Sequence, residues 1–142
     1  MYPLVTKLLI LAVAAQVMLS IVLLLWLGRE RVPRVMSGEI AAEDIAVDRT
    51  AYPLKARLLS NNFDNQFQLP VLFYVVALLA LWSGGTNWVE VILAWLFVAL
   101  RFGHTAIHVT TNRLDSRFAV FTAGLAVLGV LWLLVLLRIL LS

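Results

Sequence analysis

Residues 101–117 read Arg101-Phe-Gly-His104-Thr-Ala-Ile-His108-Val-Thr-Thr-Asn112-Arg113-Leu-Asp115-Ser-Arg117. They follow a nearly apolar run at residues 89–100 and contain both histidines of the chain. On a helix with ~3.6 residues per turn, the first arginine, both histidines and the asparagine fall on one face. A polar stripe on an apolar helix is costly in a membrane, so it usually faces a protein interior or a water-filled site. The stretch therefore predicts a membrane-spanning helix with one sheltered polar face.

The composition of the chain is that of an integral membrane protein. Of the 142 residues, 63% are hydrophobic and 13% are charged, whereas soluble domains contain about 45–50% apolar and about 25% charged residues. The chain has no cysteine, which excludes disulfides and thiolate metal sites. The net charge of +3 is modest and spread over the loops, so it favours a defined orientation in a membrane over nucleic-acid binding.

Four long apolar segments predict four transmembrane helices in a single domain, residues 1–142. A hydrocarbon core of ~30 Å needs about 20 apolar residues at ~1.5 Å each. The predicted helices cover about residues 3–27, 54–82, 88–111 and 117–141. Pro70 predicts a kink in the second helix. Gln16 lies near the middle of the first span, which predicts that it faces another helix where its amide finds a partner.

Residues 28–53 are the one segment of soluble composition. Their charges alternate in sign, which predicts a solvated loop with a short amphipathic helix near Glu39–Asp48. The alternative is a lid over a binding site, with Arg29, Arg31 or Arg34 as anion ligands. Basic residues also flank the connection between the third and fourth helices, whereas residues 83–87 contain none. The positive-inside rule therefore predicts that these two basic connections are cytoplasmic and that both termini are outside.

A second polar stripe lies in the first half of the second helix. Its members recur at three- and four-residue spacing: Arg57, Asn61, Asp64 or Asn65, and Gln68. Because the second helix leaves the cytoplasmic side and the third helix returns to it, the two stripes lie at the same depth. Together they predict a shared cavity that binds a small anionic or peptide-like ligand and admits an apolar co-substrate from the bilayer. The alternative is that these groups hold one another, for example Arg101 with Asp64, and fix the helix register.

The four-residue spacing of His104 and His108 is also that of a metal-ligand pair on a helix. Only Asp64 or Asp115 could add a carboxylate nearby, and two histidines alone are weak evidence, so we predict no metal. The nearby serines lie in no nucleophile motif, which argues against a Ser-His-Asp site.

Two motifs resemble a known family. They are Asn65-Gln-Phe-Gln68-Leu-Pro70-Val-Leu-Phe73, and Arg101-x-x-His104-x-x-x-His108 followed by Arg117. Both are similar to motifs of the membrane-associated proteins in eicosanoid and glutathione metabolism, the MAPEG family, and look most like its small bacterial branch. The resemblance covers nearly the whole chain, including the helix count, the orientation and the long first cytoplasmic loop.

The resemblance implies an all-α membrane protein, a left-handed bundle of four transmembrane helices in a homotrimer. Its sites would lie between neighbouring protomers, near the cytoplasmic face of a bacterial inner membrane. Glutathione would be the co-substrate and a lipophilic small molecule the second substrate, with membrane lipids and further copies of the chain as partners. Arg117 matches the arginine that stabilises the thiolate. Asn65, Gln68, Arg101, His104 and His108 match glutathione-binding positions, Arg57 is a looser match, and the two stripes add Asn61 and Arg113.

Two departures from the family pattern bear on activity. Gln68 stands where the family has a glutamate that pairs with the ammonium of glutathione, and His108 stands where a tyrosine is expected. The step from Gln68 to Pro70 is also one residue shorter than in glutathione-using members. Losing the anion of a buried ion pair removes up to a few kcal/mol of binding.

The leading functional hypothesis is a glutathione S-transferase or peroxidase that acts on lipophilic electrophiles. The alternative, which the two departures favour, is a non-catalytic lipid-binding or scaffolding membrane protein. A channel or transporter is less favoured, since the chain shows neither a broken helix pair nor an inverted repeat.

Overall fold

The chain folds into five helical segments that make four candidate membrane spans. The computed structural model describes residues 2–141, with helices α1 (Leu4–Met36), α2 (Leu54–Asp64), α3 (Leu69–Trp82), α4 (Trp88–Val109) and α5 (Leu114–Leu141). Helices α2 and α3 together form the second span, and the other three helices form one span each. No strand occurs among the described residues. The prediction of an all-α protein with four long apolar helices is confirmed.

The apolar core fills the half of the bundle that contains the start of α1, α3, the start of α4 and the end of α5. Phe73 of α3 stacks on Phe97 of α4, with ring centroids 4.9 Å apart and 25° between the ring planes. Both rings are fully buried, and Ala12 of α1 and Leu131 of α5 are buried in the same cluster. Close packing of these side chains gives this half its cohesion. The buried polar side chains of α2 and the end of α4 therefore lie in the opposite half.

Helix α1 is longer than the predicted span at residues 3–27. It continues to Met36 and includes Pro33. A proline inside a helix removes one backbone hydrogen bond, but Arg34 supports the last turns by donating from Nε to the carbonyl oxygen of Glu30 at 3.0 Å. The same guanidinium lies 3.6 Å from the Glu30 carboxylate. The end of the apolar run is therefore not the end of the helix.

The predicted amphipathic helix near residues 39–48 is wrong. A single 3₁₀ turn, Glu43–Ile45, forms there. Asp48 instead accepts hydrogen bonds from the Thr50 hydroxyl and the Thr50 amide at 2.5 and 2.7 Å, and these bonds hold the pKa of the Asp48 carboxyl below its usual value. Such local side-chain bonds compete with helix formation. Tyr52, which is buried in a small cluster with Ile40, anchors the end of the loop beside the start of α2.

The kink predicted at Pro70 takes the form of a break between two helices of the second span. Residues Asn65–Phe67 form a 3₁₀ turn, and Gln68 has φ −103° and ψ −105°, outside the helical region. Pro70 lies in the first turn of α3. Backbone N–H groups in the first turn have no acceptor within the helix, so the N–H that proline lacks costs no helical hydrogen bond. Because the α-helical ladder stops here, the carbonyl oxygen of Asn65 is available to a side chain of α4.

Two glycines and an asparagine shape the turn between α3 and α4. Gly84 and Gly85 have φ values of +68° and +69°, a region that residues with a Cβ rarely adopt. The Asn87 side chain then caps α4 by accepting from the amides of Val89 and Glu90 at 3.0 and 3.1 Å.

At the other end, α4 stops at Val109 and α5 starts at Leu114. Asn112 lies between them with φ +49°. Helix α5 therefore begins before the predicted position, residue 117, and Arg117 falls in its first turn.

Candidate functional site

The polar stripe of α4 is buried inside the protomer, as its cost in a membrane predicts. Arg101, His104 and His108 keep only 2%, 3% and 1% of their surface exposed. Asn112 was predicted to continue this face, but the helix ends before it. Its side-chain oxygen instead accepts a hydrogen bond from Nη1 of Arg117 at 2.7 Å.

The polar stripe predicted on α2 does not face α4. Most of its members are exposed: Arg57, Asn61, Asp64 and Gln68. Asn65 is half-buried, and the fully buried polar side chains of this segment are Ser60, Asn62 and Gln66. Both sets have helical spacing, but the second set shares its face with the buried apolar residues Ala56 and Leu59. The presence of these apolar residues on the same helical face is the signal in the sequence that indicates which face is internal.

A network of buried polar side chains connects α1, the second span and α4. Gln16 of α1 donates to the side-chain oxygen of Gln66 at 3.0 Å, and Gln66 donates to the side-chain oxygen of Asn62 at 3.1 Å. That oxygen also accepts from the hydroxyl of Thr105 on α4 at 3.3 Å. The expectation that Gln16 contacts another helix is confirmed. Because buried amides must be paired, this network fixes α2 against α1 and α4.

Arg101 is a buried cation without an anionic partner among residues 2–141. Its Nη2 donates to the carbonyl oxygen of Asn65 at 3.1 Å, whereas its Nε and Nη1 have no hydrogen-bond partner in that part of the chain. The ion pair of Arg101 with Asp64, considered as an alternative, does not form, because Asp64 pairs with Arg49 at 2.6 Å. Internal pairing therefore leaves the charge of Arg101 uncompensated.

An open cavity of about 220 Å³ lies between α4, α5 and the turn after α2. Its lining consists of Asn65, His104, Leu114, Arg117, Phe118 and Phe121. The half-buried guanidinium of Arg117 has an Nε without a partner among the described residues, and the same holds for Nδ1 of His104 and of His108. The two imidazoles meet edge to face with ring centroids 5.8 Å apart. The cavity thus combines a guanidinium and an imidazole side chain with an apolar wall.

The structure brings together only part of the predicted site. Asn65, His104 and Arg117 line the cavity, Arg101 joins them through the Asn65 carbonyl, and His108 is buried behind His104. Exposed and outside this cavity are Arg57, Asn61, Gln68 and Arg113. The sequence interpretation did not include Leu114, Phe118 and Phe121, although their spacing places them on the face of α5 that carries Arg117.

The lining favours an anionic ligand with an apolar part. Guanidinium groups bind carboxylates and thiolates through charge-assisted hydrogen bonds, and no carboxylate of the described residues lines the cavity. Within residues 2–141, no group of three histidine, cysteine, aspartate or glutamate side chains is arranged to hold a metal ion. The site is suited to binding or stabilising a negative charge at the Arg117 end.

Replacement of Arg101 by methionine tests whether this arginine serves the site or the fold. A buried charge without an ion partner destabilises a folded protein, and an apolar side chain of similar length removes that penalty. We expect Arg101→Met to raise the free energy of unfolding by about 1 kcal/mol or more and to weaken anion binding at the cavity, which Arg101 does not itself line. Unfolding in detergent followed by circular dichroism measures the first effect. A clear loss of stability would instead assign Arg101 to helix register.

The comparison with known families agrees with this architecture. The family model described as MAPEG family matches residues 9–137, nearly the whole chain. No curated protein and no solved structure matches the chain. The match includes most of each of the four spans and every residue that lines the cavity, and the chain therefore belongs to the MAPEG family.

Proposed function

We propose that the chain is a glutathione-dependent transferase or peroxidase that acts on lipophilic electrophiles at a cytoplasmic-side site completed by a neighbouring protomer of a homotrimer. Members of the family include transferases and peroxidases and generally use glutathione. The observation that carries the proposal is the cavity whose lining places Arg117 beside His104 and Asn65, with no carboxylate among its lining residues.

The donors of the cavity fit a thiolate. Glutathione supplies a thiol whose thiolate form is the nucleophile toward an electrophile. Arg117 would stabilise the negative sulfur, since a fixed guanidinium beside a thiolate favours the charged form of the sulfur. Its contact with Asn112 at 2.7 Å holds the guanidinium in place. The protonated thiol, which is neutral, receives no comparable electrostatic stabilisation, so the bound thiol would ionise more readily than the free thiol.

The predicted binding residues outside the cavity fit a site shared between protomers. Arg57 and Asn61 are exposed on α2, Gln68 is exposed just before α3, and Arg113 is exposed in the connection before α5. In a homotrimer this polar face would bind the backbone and carboxylates of a tripeptide whose sulfur reaches Arg117. The apolar wall of Leu114 and Phe118, which is open at 73% and 70% exposure, would admit a lipophilic substrate from the inner membrane.

A second candidate is a lipid-binding or scaffolding protein without catalysis. Two observations favour it. His108, at the position where a tyrosine is expected, is only 1% exposed and lies behind His104, so it would not reach a ligand without rearrangement. Gln68 is exposed but neutral, so it offers no anion to the ammonium of glutathione.

Calorimetric titration of the purified protein with glutathione separates the two candidates. We expect the wild type to bind glutathione and to lower its thiol pKa, read from thiolate absorbance. Gln68→Glu should tighten glutathione binding about tenfold, because it restores a charge-assisted contact. S-methylglutathione, which has no thiol proton, is the control ligand and should give no thiolate absorbance. If the wild type and Gln68→Glu both leave glutathione unbound while lipid still copurifies, the scaffold candidate is favoured.

A further inference from the structure

A second cavity, which shares no lining residue with the cavity at Arg117, lies beside the part of α1 that continues past the apolar run. It is a groove of about 380 Å³. Its lining is almost entirely apolar and consists of Leu24, Leu27, Gly28, Arg31, Val32, Val35, Met36 and Tyr52. From Leu24 to Met36 the helix rises by roughly 18 Å at ~1.5 Å per residue. The groove is therefore long enough to lie along an alkyl chain.

One charged side chain lies in this apolar groove, and it is held in place. The guanidinium carbon of Arg31 lies 4.3 Å from the ring centroid of Tyr52, a cation–π contact. Tyr52 is only 4% exposed and is packed with Ile40 and Ala56. Its backbone amide also donates to the carbonyl oxygen of Arg49 at 3.2 Å. The ring is thus a rigid support for the cation.

Arg31 differs from Arg34 of the same helix in having no anionic partner. Arg34 is paired with both Glu30 and Glu39. The N–H groups of Arg31 make neither a hydrogen bond nor an ion pair within residues 2–141. A guanidinium that is fixed, partly dehydrated and unpaired is complementary to a phosphate, which accepts two parallel N–H bonds from it.

The groove is also continuous with the bilayer. Leu24 and Leu27 belong to the apolar run of a candidate span, so a bilayer around this span would place acyl chains against the lower wall of the groove. Arg31 follows at the end of that run, where phospholipid headgroups lie. A ligand that reaches both ends needs an alkyl chain and an anionic group at the interface.

We propose that this groove binds an anionic phospholipid of the surrounding bilayer, with one acyl chain along Leu24 and Leu27 and the phosphate on Arg31. The site shares no lining residue with the cavity at Arg117. Lipid binding here therefore does not depend on whether the protein uses glutathione.

Two variants, each with a matched control, test this site in the full-length protein. Arg31→Gln removes the guanidinium, and Arg29→Gln is the matched control, because Arg29 is an exposed arginine of the same helix that does not line the groove. Gly28→Leu fills the groove and keeps Arg31, since a Cβ at Gly28 meets no atom within 4 Å. Gly129→Leu on α5 is its control, for the same reason.

Native mass spectrometry from detergent measures the binding of dioleoyl phosphatidylglycerol and dioleoyl phosphatidylcholine. We expect the wild type to prefer the anionic lipid, and Arg31→Gln to lower that affinity about tenfold through loss of a charge-assisted contact. Arg29→Gln and Gly129→Leu should retain it, and Gly28→Leu should lose the bound lipid. Equal losses in Arg31→Gln and Arg29→Gln would overturn the proposal in favour of diffuse attraction. A changed oligomer mass in Gly28→Leu with unchanged lipid binding would instead show that another copy of the chain covers the groove.

Discussion

Arg138→Ala is expected to lower the free energy of unfolding by about 3 kcal/mol. Nε and Nη2 of Arg138 donate to the two carboxylate oxygens of Glu90 at 2.7 and 3.3 Å. The Glu90 side chain is only 1% exposed, whereas Arg138 keeps 22%. Removal of the arginine leaves a buried carboxylate without its cation, and such losses cost about 3–5 kcal/mol. The lower value applies because water reaches one side of the pair.

The same guanidinium also holds the turn between α3 and α4. Its Nη1 donates to the Ser83 hydroxyl at 3.2 Å and to the carbonyl oxygen of Gly84. The turn contains two left-handed glycines and has little apolar contact of its own. Arg138→Ala should therefore also increase hydrogen exchange at residues 83–87, on a shorter timescale than global unfolding.

Unfolding in sodium dodecyl sulfate, followed by circular dichroism, measures the main effect. The control is Arg138→Met combined with Glu90→Gln, which removes both charges and should recover most of the stability. Leu137→Ala, an exposed neighbour on α5, should change little. A loss below about 1 kcal/mol for Arg138→Ala would mean that water compensates Glu90, as for surface ion pairs.

The fold was predictable because burial in a membrane imposes a strong pattern. Apolar runs of spanning length marked all four spans, and Pro70 marked the interruption of the second. The end of α1 was not predictable from hydropathy, since residues 28–36 are charged and contain Pro33 yet remain helical. Beyond the apolar run, the end of a helix depends on local side-chain pairs such as Arg34 with Glu30, and a hydropathy pattern carries no information about such pairs.

The site was predictable on α4 but only in part on α2. On α4 the polar residues interrupt an apolar helix, so their common face is unambiguous. In the first half of the second span, polar residues surround the helix, and the choice between the faces of Asn61 and Asn62 depends on tertiary partners. Gln16 supplies such a partner through Gln66. The spacing within α2 could not reveal it, because the contact joins residues that are 50 positions apart.

Arg117→Ala is expected to reduce glutathione turnover about 30-fold at pH 7, since a free thiol is only a few per cent ionised at that pH. The reasoning follows from the position of the guanidinium in the proposed site. In the wild type Arg117 favours the thiolate, so the thiol pKa falls and the rate is already high at neutral pH. Without Arg117 the thiol pKa returns to its ordinary value above neutrality. The rate should then rise with pH and recover much of its loss in alkaline buffer.

This recovery distinguishes thiolate stabilisation from a structural role. A misfolded variant would be inactive at every pH, whereas a variant that lacks only the stabilising charge regains activity as solvent ionises the thiol. Arg29→Ala removes an equal charge from an exposed position that does not line the cavity, and its pH profile should match that of the wild type. Arg117→Lys should be intermediate, because an ammonium keeps the charge but not the planar donors. Rates with a lipophilic aryl halide, measured between pH 6 and pH 9.5 on the detergent-solubilised protein, provide the profile. If Arg117→Ala shows a parallel loss across that range while its helix content and oligomer mass are unchanged, Arg117 is not the group that ionises the thiol.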